Sequence, residues 1–149
     1  MTPQFAIALA AGTAAVVEDL AKRRISNWTS GGALVAGLAC HAWAGGWPGL
    51  GRSALGAAAG FAVFLVFYLL NGMGGGDVKL MAGFGALTGI GNVLQAALLA
   101  AAAGGILAAC VIGWSRLRRL MGYGTGAPET IPYAPAIVAG AWLVLAAGL

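Results

Sequence analysis

The sequence predicts an all-α polytopic membrane protein: a compact bundle of about six transmembrane helices forming one membrane-embedded domain over residues 1–149. Three observations lead there. The 149-residue chain is 60% hydrophobic and 8% charged, where a soluble domain carries roughly 25% charged residues. Its mean hydropathy is +0.90. The apolar residues gather into runs, several near the roughly 20 residues that a helix needs to cross a hydrocarbon core, and nearly all the charges fall between or at the ends of the runs.

The first run, 3–18, follows Met1–Gln4, which carries no lysine or arginine, and precedes Lys22, Arg23 and Arg24. A secretory signal has the opposite order, so a retained first helix is expected. The second and third runs are 29–46 and 53–71. The fourth, 78–90, is short, and only Gly89-Ile90-Gly91-Asn92 separates it from the fifth, 92–114. Such a stretch reads as a tight turn, with one long kinked helix as the alternative. The sixth run, 134–149, has Pro132 and Pro135 at its start, where a missing N–H does no harm. Among 26 glycines, Gly56 to Gly60 ("GAAAG") and Gly85 to Gly89 ("GALTG") show the small-xxx-small spacing of closely packed membrane helices. It suits packing within one bundle or dimerisation.

A net charge of +4 does not indicate nucleic acid, because the basic residues are scattered in small groups between apolar runs. With six spans, all of them but Arg52 fall on one side. The positive-inside tendency makes that side cytoplasmic and puts both termini on the other. Arg116, Arg118 and Arg119 suit anionic lipid or topology. Cys40, Cys110 and His41 lack partners at ligand spacing, so no metal site is expected. The five tryptophans, at 28, 43, 47, 114 and 142, read mostly as interfacial anchors.

Only Glu18, Asp19, Asp77 and Glu129 are acidic, and the six-span arrangement puts all four near the cytoplasmic side. An ionisable residue near the membrane is a functional hypothesis by default. Asp77 follows Gly74-Gly75-Gly76 and precedes an apolar run. One reading makes it an N-cap. The other gives it chemistry, with the glycines of 72–76 allowing unusual torsions and close approach of an extended substrate. Asp19 can pair with Lys22 or Arg23 on its own helix, or face Asp77 if the end of the first run packs on the start of the fourth. Two carboxyl groups sharing a site do not both ionise easily. The charged one can take a proton from water while the other polarises a peptide carbonyl, hydrolysing an amide without metal or covalent intermediate. Such a pair titrates as a unit.

Gly74-Gly75-Gly76-Asp77 matches the GxGD motif of intramembrane aspartyl proteases, and "EDLAKRRISN" (Glu18 to Asn27) resembles the first-aspartate segment of type IV prepilin peptidases. "GGGDVKL" and "IPYAPAI" (Ile131 to Ile137) extend the resemblance over nearly the whole chain. The resemblance implies that Asp19 and Asp77 are the catalytic aspartates and that no cofactor is needed. The implied reaction removes the basic leader of prepilins or pseudopilins at the cytoplasmic face of a bacterial inner membrane. Nothing here resembles the N-terminal four-cysteine zinc and methyltransferase segment of the bifunctional members, so the chain looks like the short, peptidase-only form found with Flp-type tight-adherence pili. One departure is Ser26, where the family commonly has proline; it bears on loop geometry.

The motif residues Gly74 and Gly76, with Lys79 and Asn27, complete the candidate site. Lys79 either tunes Asp77 or binds substrate, or else anchors topology. Asn27 either supports the catalytic loop or caps the second helix. Glu18 either attracts a basic leader or pairs with Lys22. The competing reading of the whole chain is a non-enzymatic membrane subunit of a transport or pilus-assembly complex, in which the aspartates serve as cap and anchor.

Overall fold

The structure, a computed structural model, describes residues 2–122 and 131–148. These residues form five helices and no strand: α1 (Pro3–Lys22), α2 (Asn27–Leu69), α3 (Gly75–Thr88), α4 (Val93–Leu120) and α5 (Ala134–Ala147). By length and composition α1, α2 and α4 can each cross a membrane, and α5 is a shorter apolar helix. Glu129 and Leu149 lie outside the described residues.

Five helices stand where about six were expected, because the second and third runs belong to one 43-residue element. It is not straight. Gly46 leaves the helical region at φ 57, ψ −143, a conformation that glycine alone adopts readily. Pro48 follows on the first turn of the second arm, where no helical bond needs its N–H.

The contacts show that the element folds back at Gly46. Along the first arm, Gly37 lies against Ala86 and Leu87, and His41 faces Gly89. Along the second, the Arg52 carbonyl accepts the Ile90 N–H at 3.0 Å, Gly56 meets Gly85, and Gly60 meets Met81. One arm therefore runs parallel to α3 and the other antiparallel, with α3 held between them. Ser53 Oγ, buried in this contact, donates to the Ala86 carbonyl at 2.8 Å.

The two small-xxx-small motifs meet each other here. A Cβ on Gly56 would strike the Gly85 carbonyl oxygen, and a Cβ on Gly85 would strike that of Gly56. The spacing serves packing within the bundle. From Asp77 to Thr88 only Lys79 and Ala82 escape full burial, and Leu80, Met81, Phe84 and Leu87 form the centre of the core with Phe64 and Val93. At 14 residues, α3 is about 21 Å long, less than the roughly 30 Å of a hydrocarbon core.

A turn at residues 89–92 separates α3 from α4, which removes the long-kinked-helix alternative. Helix α5 packs antiparallel to α4, with Gly140 on Ala96 and Ala100 and Tyr133 on Gly104. It also packs antiparallel to α1, with Val138 and Trp142 on Gly12. Trp142 Nε1 donates to the Ala8 carbonyl at 2.8 Å, so this tryptophan ties two helices together, whereas Trp28, Trp43, Trp47 and Trp114 are exposed. One end of the bundle thus gathers the loops 23–26 and 70–74, the C-terminal end of α4 and the start of α5. Gly46 and the 89–92 turn lie at the other, with Arg52.

Candidate active site

The last turn of α1 carries two carboxylates with different partners. Arg23 ends the helix in the left-handed region (φ 53), donating its N–H to the Asp19 carbonyl at 2.9 Å. Glu18 Oε2 accepts the Ser26 N–H at 2.8 Å, and the Thr29 hydroxyl lies 3.1 and 3.0 Å from the two carboxylate oxygens. Glu18 is thereby a clamp across the 23–26 loop, a role that neither sequence reading anticipated. Ser26 caps α2, its Oγ accepting the Trp28 N–H at 3.2 Å. Proline at 26 could supply neither the N–H that Glu18 holds nor the capping hydroxyl, so the serine has a use of its own.

Asp77 stands at the third position of α3. Its Oδ2 accepts the Gly74 N–H at 3.1 Å, and its own N–H donates to the Gly74 carbonyl at 3.1 Å. The N-cap residue is Gly74, so Asp77 assists the cap from inside the first turn and is not the N-cap itself. The glycine run also behaves differently from expectation. Gly75 and Gly76 already belong to the helix, and no glycine of 72–76 has a positive φ; the left-handed residue of this loop is Asn71, at φ 56. What the run does allow is close approach: a Cβ on Gly76 would lie 3.3 Å from Ile25 Cβ, where the 23–26 loop rests on α3.

Asp19 and Asp77 are 8% and 7% exposed and face one cleft of about 660 Å³, whose walls include Arg23, Asn71, Met73 and Tyr133. Asp19 Oδ2 accepts the Ala134 N–H at 3.2 Å. Asp77 lies ahead of the apolar run 78–90, at the loop-bearing end of the bundle. Burial pushes its carboxyl up to about 6, opposed by the Gly74 N–H and reinforced by the negative charge of Asp19. The two acids therefore sense each other electrostatically, as a shared site requires.

Of the other candidates, Gly74 lines the cleft and Gly76 supports it from behind through Ile25. Lys79 and Asn27 are brought together, but with each other: Lys79 Nζ donates to Asn27 Oδ1 at 3.0 Å on the exposed surface, joining α3 to the start of α2. Neither lines the cleft, and Lys79 is not among the influences on Asp77. Sequence reasoning missed Asn71, Met73 and Tyr133 as wall residues. Tyr133 had a signal, since it sits inside the "IPYAPAI" segment; the other two had none beyond adjoining the glycines.

No curated protein and no solved structure gives a significant match to the sequence. Comparison with protein families matches residues 6–124 to the type IV leader peptidase family. That match spans α1 to α4 and includes both buried aspartates. With most of its length covered, the chain belongs to the type IV leader peptidase family.

Proposed function

We propose that this protein is an aspartic endopeptidase that removes the basic leader of type IV prepilins or pseudopilins, of the Flp kind, at the cytoplasmic face of a bacterial inner membrane. The observation that carries the reading is a pair of buried carboxylates, from α1 and α3, facing one cleft. In the reaction, the ionised aspartate takes a proton from a water molecule whose oxygen attacks the scissile carbonyl. The protonated aspartate gives its proton to the carbonyl oxygen. The resulting gem-diol collapses as a proton passes to the leaving nitrogen and the C–N bond breaks, which restores one protonated and one ionised carboxyl. No cofactor enters this scheme.

The membrane arrangement belongs to the same reading. Six spans, with the 29–46 and 53–71 runs as the two arms of α2, bring the dyad and all basic residues but Arg52 to one end. The positive-inside rule makes that end cytoplasmic and puts both termini outside the cytoplasm. The basic residues beside the dyad would then stand on the side from which a leader arrives.

The test is co-expression of a prepilin with wild type, Asp19→Asn or Asp77→Asn, reading cleavage as a mobility shift with membrane levels checked in parallel. Cleavage by wild type alone is expected. Equal cleavage by either variant would overturn the dyad. The non-enzymatic reading, favoured by the backbone bonds that both carboxylates make, would be supported by substitutions that lower membrane levels and leave processing intact.

A further inference from the structure

A second, apolar crevice of about 200 Å³ adjoins the carboxylate cleft, between the second arm of α2, α4 and α5. Its walls include Phe64, Phe67, Gly104 and Ile137, and it shares Gly72, Met73 and Tyr133 with the cleft that holds Asp19 and Asp77. A peptide lying in the cleft therefore passes the mouth of the crevice. We propose that the crevice receives a large apolar or aromatic side chain from one of the two residues flanking the scissile bond, and so sets sequence preference; this rests on the peptidase reading above.

Size supports that occupant. An apolar cavity of about 150 Å³ binds benzene and stays dry, so about 200 Å³ accommodates a phenyl ring or a leucine side chain. The lining supports it too: no charged residue contributes, and the only side-chain polar group is the Tyr133 hydroxyl. In an extended peptide successive side chains point to opposite sides, so with one side chain in the crevice the neighbouring carbonyl stays on the carboxylate side.

The room comes from "AAAAGG", residues 100–105 of α4. At Gly104 a Cβ would sit 3.2 Å from the Tyr133 ring, whereas a Cβ at Gly105 would meet nothing within 4 Å. Position 105 therefore accepts a side chain without moving the backbone and offers a way to fill the crevice.

The experiment uses a prepilin that the wild type cleaves, altered in turn at each residue flanking the cut to Ala, Leu or Phe, with wild type, Gly105→Leu, Ala101→Leu and Asp77→Asn as enzymes. At one flanking position, wild type is expected to cleave the Leu or Phe substrate about 10- to 100-fold faster than the Ala substrate, the range for one apolar pocket. Either filled variant is expected to bring that ratio to within about 3-fold by slowing the large substrates and sparing the Ala one. Indifference of wild type at both positions, or an unchanged ratio in both filled variants, overturns the proposal and leaves lipid as the occupant. If Asp77→Asn cleaves as wild type does, the peptidase reading fails; if it is inactive while the ratios stay unchanged, only the crevice proposal fails.

Discussion

The carboxylate of Asp19 accepts the main-chain N–H of Ala134 at 3.2 Å, across 115 positions of sequence. One aspartate of the pair is thus held by the first residue of α5, and the end of α1 is locked to the bundle at the point where a reacting group must be placed.

That bond separates two substitutions. Asp19→Asn keeps an oxygen acceptor for the Ala134 N–H, whereas Asp19→Ala leaves a buried donor without its partner, at a cost of about 1–3 kcal/mol. Both are expected to be inactive. Thermal unfolding in detergent should place Asp19→Ala clearly below Asp19→Asn, and equal midpoints would mean that the bond contributes nothing.

The burial of Asp77 predicts a pH dependence of stability. Its carboxyl titrates near 6 in the folded protein and near 3.8 when free, so between these values the folded state binds more protons than the unfolded one. Stability then falls as pH rises from about 4 to about 6 and levels off above, by on the order of 3 kcal/mol. Asp19 and Arg23 share the cleft, so the control is Asp77→Asn, whose unfolding midpoint should lose this slope and exceed wild type near neutrality. An unchanged slope would assign it to another group.

The Glu18 clamp predicts a graded series. Glu18→Ala frees Ser26 and Thr29, loosens the loop that sets Ile25 against Gly76, and should lower cleavage about 10-fold, while Glu18→Gln retains an acceptor and should stay within about 3-fold. Ser26→Pro, despite restoring the residue common in the family, removes both the clamped N–H and the cap and should cost about 1–2 kcal/mol. A stabilised Ser26→Pro protein would show that the clamp is dispensable.

At the crossing of α2 and α3, Gly85→Ala drives a methyl group into the Gly56 carbonyl. Helix propensity favours Ala over Gly by up to about 1 kcal/mol, but overpacking costs about 1–3 kcal/mol, so a net loss is expected. Gly105→Ala, with open space, should be neutral or stabilising. Circular dichroism melts of the two in detergent distinguish these outcomes.

Lys79 and Asn27 form an exposed pair. Removing either should change stability by no more than about 0.5 kcal/mol and cleavage by less than about 3-fold. A larger loss of activity with unchanged folding would show that Lys79 meets substrate.

Much of the fold was legible in the apolar runs. Runs 3–18, 92–114 and 134–149 correspond to α1, α4 and α5, because continuous apolar composition together with terminal basic, glycine or proline residues reports helix ends directly. The errors fall at glycines. Between runs two and three the break narrows to Gly46, since helix resumes on its far side. At the start of the fourth run, glycine reads as loop, yet Gly75 and Gly76 are helical because Asp77 reaches back to the Gly74 N–H. Local propensity is weak enough for one side-chain bond to override it.

The identity of the site residues was equally legible: with only four acids in the chain, composition and the GxGD resemblance together single out Asp19 and Asp77. Their partners were not. Glu18 holds a loop, Asp19 holds α5, and Lys79 holds Asn27, each choice depending on which segments the packing brings within 3 Å or so. From its sequence alone this protein was determined to be an apolar helical chain with two aspartates at one end, since hydropathy and charge are properties of residues in order. Which carboxylate faces which backbone donor, and that an apolar crevice opens beside them, was decided by the fold-back at Gly46 and the antiparallel packing of α5, because hydrogen bonds and cavities depend on distances between segments that no local pattern encodes.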